Sequence, residues 1–360
     1  EIRFVTLRAA FILDSTRVHQ ELAAFTRLAV GLATEGVRVL LALDGDPRDD
    51  IDDRDAPTPT ITIPTRVPFW IRERAVHSVL DTLTEVGMDE LDVVVSVGPG
   101  SGAFASRLAD QLDVPLVVEA RSRSEVTAID RNPRVTVVTA TEGLRDLAAA
   151  RVGEDRCTHL PIPVPRTMRS TSQPRGLGVI LGPVGNATIW TALIDGMASG
   201  AEFPGGLQHL AIELSGRPID GRIWSHLRRR NLLSRVTAFD DADRLRGLLA
   251  EAAVIITPDS DRPIRSIERQ AMYGGAVPIG VADPHRTDLQ PGIDAILLEG
   301  SNTRRAAAWH DAVESARRPG LAEACRSTSE ESLVSMVAPR WARFLETIVH
   351  GDATPIDAGI

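Results

Sequence analysis

Lysine is absent from this chain: all 40 basic residues among its 360 are arginine. That excludes Schiff-base chemistry on lysine and a lysine phosphate clamp, and it hands every cationic role to a guanidinium. Cysteine is nearly absent as well. Cys157 and Cys325 are far apart and fit no metal-ligand spacing, so they read as packing thiols in a reducing, cytoplasmic compartment. No apolar run approaches the roughly 20 residues that cross a bilayer, which predicts no integral membrane segment. The sequence opens at Glu1 without the charged, apolar and small-residue blocks of a secretory leader. The net charge of −9 argues against general nucleic-acid binding. The triplet Arg228-Arg229-Arg230 reads as a solvated helix end.

What is present is apolar sequence in alternating blocks. Hydrophobic residues make up 43% of the chain, and its length suggests two domains. The first half predicts a strand at Ile2–Leu7, an irregular segment Arg8–Ser15, and a helix from Thr16 to Glu35. Val18, Leu22, Phe25, Leu28 and Leu32 fall on one face of that helix. Gly36 ends it, and Val37–Leu43 is the next strand, completing a right-handed βαβ unit. Asp44–Asp55 has metal-like Asp-x-Asp spacings but, with so many like charges, reads as a solvated loop. Further strands are expected at Asp92–Val97, Pro115–Glu119 and Arg134–Thr139, with helices near Ile71–Val86, Ala103–Leu112 and Glu142–Ala150. Gly98-Pro99-Gly100-Ser101-Gly102 sits between a strand and a helix. Free backbone N–H groups there suit an anion, and a simple tight turn fits equally well.

Pro161-Ile162-Pro163-Val164-Pro165 and the residues up to Arg175 read as a linker. Alternation then resumes, with strands at Leu177–Leu181, His209–Leu214, Arg235–Phe239, Val254–Thr257, Val277–Val281 and Ala295–Leu298. Helices are expected near Thr188–Ala198, Asp220–Arg230, Asp241–Ala252, Arg265–Tyr273 and Thr303–Arg317, and last at Pro339–Val349. The pattern predicts an α/β protein of two Rossmann-like, doubly wound domains facing a cleft.

The densest signal is Ser266–Gly280. It follows the apolar run Ala253–Pro258 and the polar loop Asp259–Arg262, giving strand, loop, short helix, Gly-Gly stop and strand. Ligands of parallel sheets bind at the carboxyl ends of the strands, so Asp259–Arg265 and the first helical turn are expected to face one. Glu268 on that turn could accept hydrogen bonds from a sugar's vicinal hydroxyls, or could simply complement the helix dipole. Its removal should leave thermal stability nearly unchanged.

On these residues the chain resembles the group 1 glycosyltransferases, retaining enzymes of the GT-B fold. The resemblance rests on the paired α/β halves, the Pro-rich hinge near Pro161 and the pattern formed by Glu268, Ala271-Met272, Gly275 and Pro278. Asp288–Leu298 resembles the segment that follows in that family, and the terminal helix with Trp341 resembles the one that returns to the first domain. The resemblance implies an acceptor domain over residues 1–165, joined by helix 339–350, and a nucleotide-sugar domain over 175–335. It implies transfer from a nucleotide sugar to an acceptor (glycan, lipid, small molecule or protein), retaining and metal-independent. It implies no cofactor beyond the nucleotide-diphosphate sugar itself. Glu268 would hold the ribose. Gly182, Gly185 and Thr188 would lie at the diphosphate, and the acceptor near Ala9–Ser15 and Gly98–Gly102.

Several family residues are replaced. Ser260 stands where a second glutamate contacts the donor sugar, flanked by Asp259 and Asp261 as substitute carboxylates. The stretch Gly182–Thr188 carries neither of the family's two cations. Arg262 and Arg265, or Arg121 and Arg123, are the available replacements, although each reads first as a surface charge. A non-catalytic glycosyltransferase-like binding or partner protein that has lost its diphosphate clamp, and that binds a glycan, a nucleotide or a partner subunit, is therefore the competing expectation.

Overall fold

Continuous apolar runs, buried on both faces, build the two parallel sheets, as βαβ crossovers require. The structure, a computed structural model, describes residues 6–45, 58–65, 67–88, 90–130, 132, 134–166, 176–182, 187–198, 203–213, 221–239 and 245–351. The chain divides into one unit of Glu1–Pro163 with Leu333–Ile360 and another of Val164–Ser332.

In the first unit the strands are β1 (Leu7–Leu13), β2 (Val37–Asp44), β3 (Thr60–Ile63), β4 (Val93–Val97), β5 (Leu116–Ala120), β6 (Val135–Thr139) and β7 (Cys157–His159). They form one sheet in the order β3-β2-β1-β4-β5-β6-β7, parallel throughout. The order reverses between β1 and β4. Helices Ser15–Thr34 and Val334–His350 cover this sheet, with Phe25 and Trp341 against Phe11 and Phe344 against Trp341. They approach so closely that a Cβ on Gly31 would lie 2.8 Å from Ala338 Cβ. Pro339, expected to start the last helix, falls inside it.

The second unit contains β8 (Leu177–Ile180), β9 (His209–Glu213), β10 (Val236–Phe239), β11 (Ala252–Thr257), β12 (Val277–Val281) and β13 (Ile296–Leu298). Their order is β10-β9-β8-β11-β12-β13, again parallel, with reversal between β8 and β11. Helices Ala187–Met197 and Ala306–Ser315 bury Trp190, Leu193 and Trp309 in its core.

One strand lies elsewhere than the sequence suggested. The central strand is Leu7–Leu13, not Ile2–Leu7, and Asp14 caps the following helix by accepting a hydrogen bond from the Arg17 N–H. Two small alanines disguised the run as a loop. A strand buried on both faces needs only continuous apolar sequence, and Ala9–Leu13 supplies it. Residues 1–5 lie outside the described residues, as do 46–57, most of the acidic stretch. The short strands β3 and β7 and the helices Arg123–Ala128 and Leu321–Glu330 had no clear sequence signal. The expected helix Asp241–Ala252 ends in a 3-10 turn, Leu249–Glu251, with Ala252 already in β11. Its first residues lie outside the described set.

Candidate functional site

Two buried clusters of charge lie at the carboxyl ends of strands, one in each unit. In the first unit the cluster fills the expected acceptor side from within. Ala9–Leu13 is buried at the centre of the sheet, so it offers no loop to a ligand. The Gly98–Gly102 loop is already occupied by a carboxylate of the protein. Asp14 Oδ2 accepts the Gly100 N–H at 2.8 Å and Asp14 Oδ1 accepts the Arg17 N–H at 2.8 Å. Gly98 has φ +92°, and a Cβ there would lie 2.6 Å from Asp14 Oδ1. The loop has anion-binding geometry, and its anion is Asp14.

Arg121, expected on the surface, is fully buried. Its Nε donates to Glu119 Oε1 at 2.8 Å, Nη1 lies 3.1 Å from Glu21 Oε2, and the guanidinium sits 5.3 Å above the Phe25 ring. Burial works against its charge, but Glu119 and Glu21 outweigh it, and the pKa is raised. Glu125 accepts from the Arg121 N–H at 2.7 Å and from Arg17 Nη2 at 2.8 and 2.9 Å. The opposite charges pair with one another, as buried charges must, although Arg17 Nε and Nη1 and Glu119 Oε2 are buried without a hydrogen-bond partner among the described residues. Arg123 is exposed on the short helix that follows.

The cluster in the second unit has a different composition. Glu213 ends β9 and is buried. It accepts the Gly182 N–H at 3.1 Å and Arg265 Nη1 at 2.5 Å through the same oxygen. Arg265, also expected on the surface, is only 2% exposed. Arg262 is half-buried, and its Nη1 donates to the Leu181 carbonyl at 2.8 Å. That carbonyl is its partner among the described residues; no carboxylate pairs with it there. Burial and the neighbouring Arg265 guanidinium push the Arg262 pKa down to about 10, still far above neutrality. Gly182, Arg262 and Arg265 are thus brought together at the end of β8.

Glu268 is on the first turn of helix Ser266–Gly274, as expected, but it is not exposed. The helix is buried on nearly every side. Its αL stop at Gly275 (φ +97°) is so tight that a Cβ would lie 2.4 Å from Arg326 Nη2. Glu268 Oε1 accepts from Arg286 Nη2 at 2.7 Å. Arg286 Nε donates to Asp288 Oδ1 at 3.0 Å, and Asp288 Oδ2 is bonded to Arg269. Burial opposes the charge on Arg286, yet Asp288 and Glu268 raise its pKa. Burial alone would raise Asp288, but Arg286 and Arg269 hold it below the usual carboxylate range. The expectation that Glu268 could be removed at no cost to stability is corrected: it is one end of a buried chain of ion pairs.

The other expected residues are more dispersed. Asp259 is half-buried, and Ser260 and Asp261 are exposed on the loop leading to Arg262. Thr188 is exposed on the first turn of helix Ala187–Met197. Gly185 lies outside the described residues. Burial pushes the thiols of Cys157 and Cys325 up to about 11 and about 12, so neither is a thiolate nucleophile at neutral pH.

No family model and no curated protein matches the sequence. Solved structures, however, resemble it over nearly its full length. The sucrose-phosphate synthase of Thermosynechococcus elongatus matches with a TM-score of 0.73 at 14% identity, covering 96% of this chain and 100% of that one. The chain has the GT-B fold. The GT-B neighbours include Anabaena HepE (Alr3699) in complex with UDP, with TM-score 0.68, 12% identity, and coverage of 95% of this chain and 100% of that one. A glycosyltransferase from Rickettsia africae gives TM-score 0.68 at 10% identity, covering 97% of this chain and 100% of that one. Identities this low establish the GT-B fold and assign no reaction. Sequence reasoning missed Glu213, Arg269, Arg286 and Asp288 within it. The visible trace of Glu213 was a lone acid ending an apolar strand, and that of Arg286 and Asp288 an Arg-x-Asp pair following β12, while Arg269 is the residue after Glu268 on its helix.

Proposed function

We propose that this chain is a glycosyltransferase whose donor is a nucleotide-diphosphate sugar bound at the strand ends of the second unit. The observation that carries this reading is Arg262, a guanidinium held against the Leu181 carbonyl with no carboxylate partner among the described residues. It lies next to Gly182, where the family resemblance calls for the diphosphate. Arg262 and Arg265 would supply the positive charge that the Gly182–Thr188 stretch lacks. Gly185 and the Thr188 hydroxyl would line the phosphate side, and Glu268 would take the ribose. Asp259, Ser260 and Asp261 would lie towards the sugar. In the reaction the bond between the anomeric carbon and the diphosphate oxygen breaks, its electron pair stays with the diphosphate, and the acceptor oxygen bonds to that carbon. Fixed donors aimed at the charge developing on the leaving group are each worth about 3–4 kcal/mol, a hundred- to thousandfold in rate. The retaining outcome and independence of metal belong to this proposal.

The lost family glutamate at Ser260 and the missing cations of Gly182–Thr188 favour a second reading, a binder of nucleotide sugars that does not turn them over. Calorimetric titration with a panel of nucleoside diphosphates, followed by incubation with the matching nucleotide sugars, separates the readings. The enzyme should bind at least one nucleoside diphosphate saturably and release it slowly from the corresponding sugar nucleotide. Binding without release would favour the binder. No binding to any of them by the folded protein would remove both.

A further inference from the structure

We propose that Arg286 is a positioning residue that holds Glu268 in place for the ribose of the bound nucleotide. This rests on the donor reading above. Arg286 Nη2 donates to Oε1 of Glu268 at 2.7 Å, a bond that engages one of the two carboxylate oxygens. One oxygen is therefore clamped, and the vicinal hydroxyls of a sugar ring would meet the other. The clamp is itself fixed from behind. Arg286 Nε donates to Asp288 Oδ1 at 3.0 Å, and Asp288 is bonded in turn to Arg269, the neighbour of Glu268 on the same helix. The chain of ion pairs leaves the helix at Glu268, passes through the loop after β12, and returns one residue further on.

The loop's backbone is preset as well. Asp283 Oδ1 accepts the His285 N–H at 2.8 Å, and Asp283 O accepts the Arg286 N–H at 3.0 Å. With Glu268, Arg269, Arg286 and Asp288 all at least nine-tenths buried, few other rotamers are open to them. A carboxylate held in this way meets its ligand without first losing side-chain freedom, the general advantage of a preorganised site. Arginine is required because its planar fork reaches two carboxylates at once, which a lysine ammonium at the same place would do poorly.

The test compares two affinities by calorimetry: that for the best-binding ribonucleoside diphosphate and that for its 2′,3′-dideoxy form. In the wild type the ribo form should bind about tenfold or more tightly, since hydrogen bonds to a charged group fall in that range. In Arg286→Gln the ratio should fall towards one while the diphosphate still binds more tightly than the bare nucleoside. Arg286→Lys, which keeps the charge and is the safer variant for folding, should give an intermediate ratio. A ratio unchanged from wild type in either folded variant overturns the inference. A wild type that binds the diphosphate but ignores the ribose hydroxyls overturns it too, leaving the donor reading intact. A wild type that binds no nucleoside diphosphate defeats the donor reading itself.

Discussion

Glu213→Ala should lower the midpoint of thermal unfolding by about 10 °C. Glu213 is 3% exposed and holds two groups at once, the Gly182 N–H and the Arg265 guanidinium. Its removal takes one carboxylate away from the buried Arg265 guanidinium. Breaking a buried pair from one side typically costs about 3–5 kcal/mol, because an uncompensated charge remains. For a unit of this size each kcal/mol is worth roughly 2–4 °C. Glu213→Gln keeps an acceptor for Gly182 and loses only the charge, so its loss should be smaller. Scanning calorimetry of the three proteins checks this. Equal midpoints would mean that the pair contributes nothing, and that Arg265 is held by other contacts.

Arg121→Met should destabilise the first unit by a similar amount, about 3–5 kcal/mol. The guanidinium is fully buried between Glu119 and Glu21 and stacks over Phe25. Methionine replaces much of the volume over the ring but leaves two buried carboxylates without their cation. Adding Glu119→Gln to Arg121→Met should recover part of the loss, since neighbours in one network are not additive. Denaturant unfolding of the wild type, both single variants and the double variant gives the coupling directly. Simple additivity would show that the network is not a unit.

Much of the fold could be read from composition and period. Runs such as Val93–Val97 and Ala252–Thr257 are apolar on both faces and can only be interior parallel strands. The Gly-Gly stop after Ser266–Gly274 was equally plain, because αL backbone demands glycine. Ala9–Leu13 was misread because small side chains look like loop sequence even when both faces of the strand are covered. The candidate site was only half legible. The position of Glu268 followed from the order of strand, loop and helix, but its burial did not, because the chain that covers it comes from another loop. Glu213 and Arg265 are 52 residues apart in sequence, and Glu268 and Arg286 are 18 apart. No periodicity reports such pairings, since they arise only where strand ends converge. Arg265 looked like a surface charge for the same reason, and so did Arg121: its partner Glu119 is only two residues away, but Glu21 and the Phe25 ring that help to bury it lie about 100 residues earlier in the chain.

Arg262 is the proposed cation for a donor diphosphate. The direct measurement is calorimetric titration of wild type and Arg262→Ala, each with a nucleoside diphosphate and with the bare nucleoside. The wild type should favour the diphosphate strongly. The variant should lose about tenfold or more of the diphosphate affinity, as expected for a charge-assisted hydrogen bond, while its affinity for the nucleoside stays the same. Equal diphosphate affinity in the two proteins, or no preference for diphosphate over nucleoside in the wild type, would contradict it.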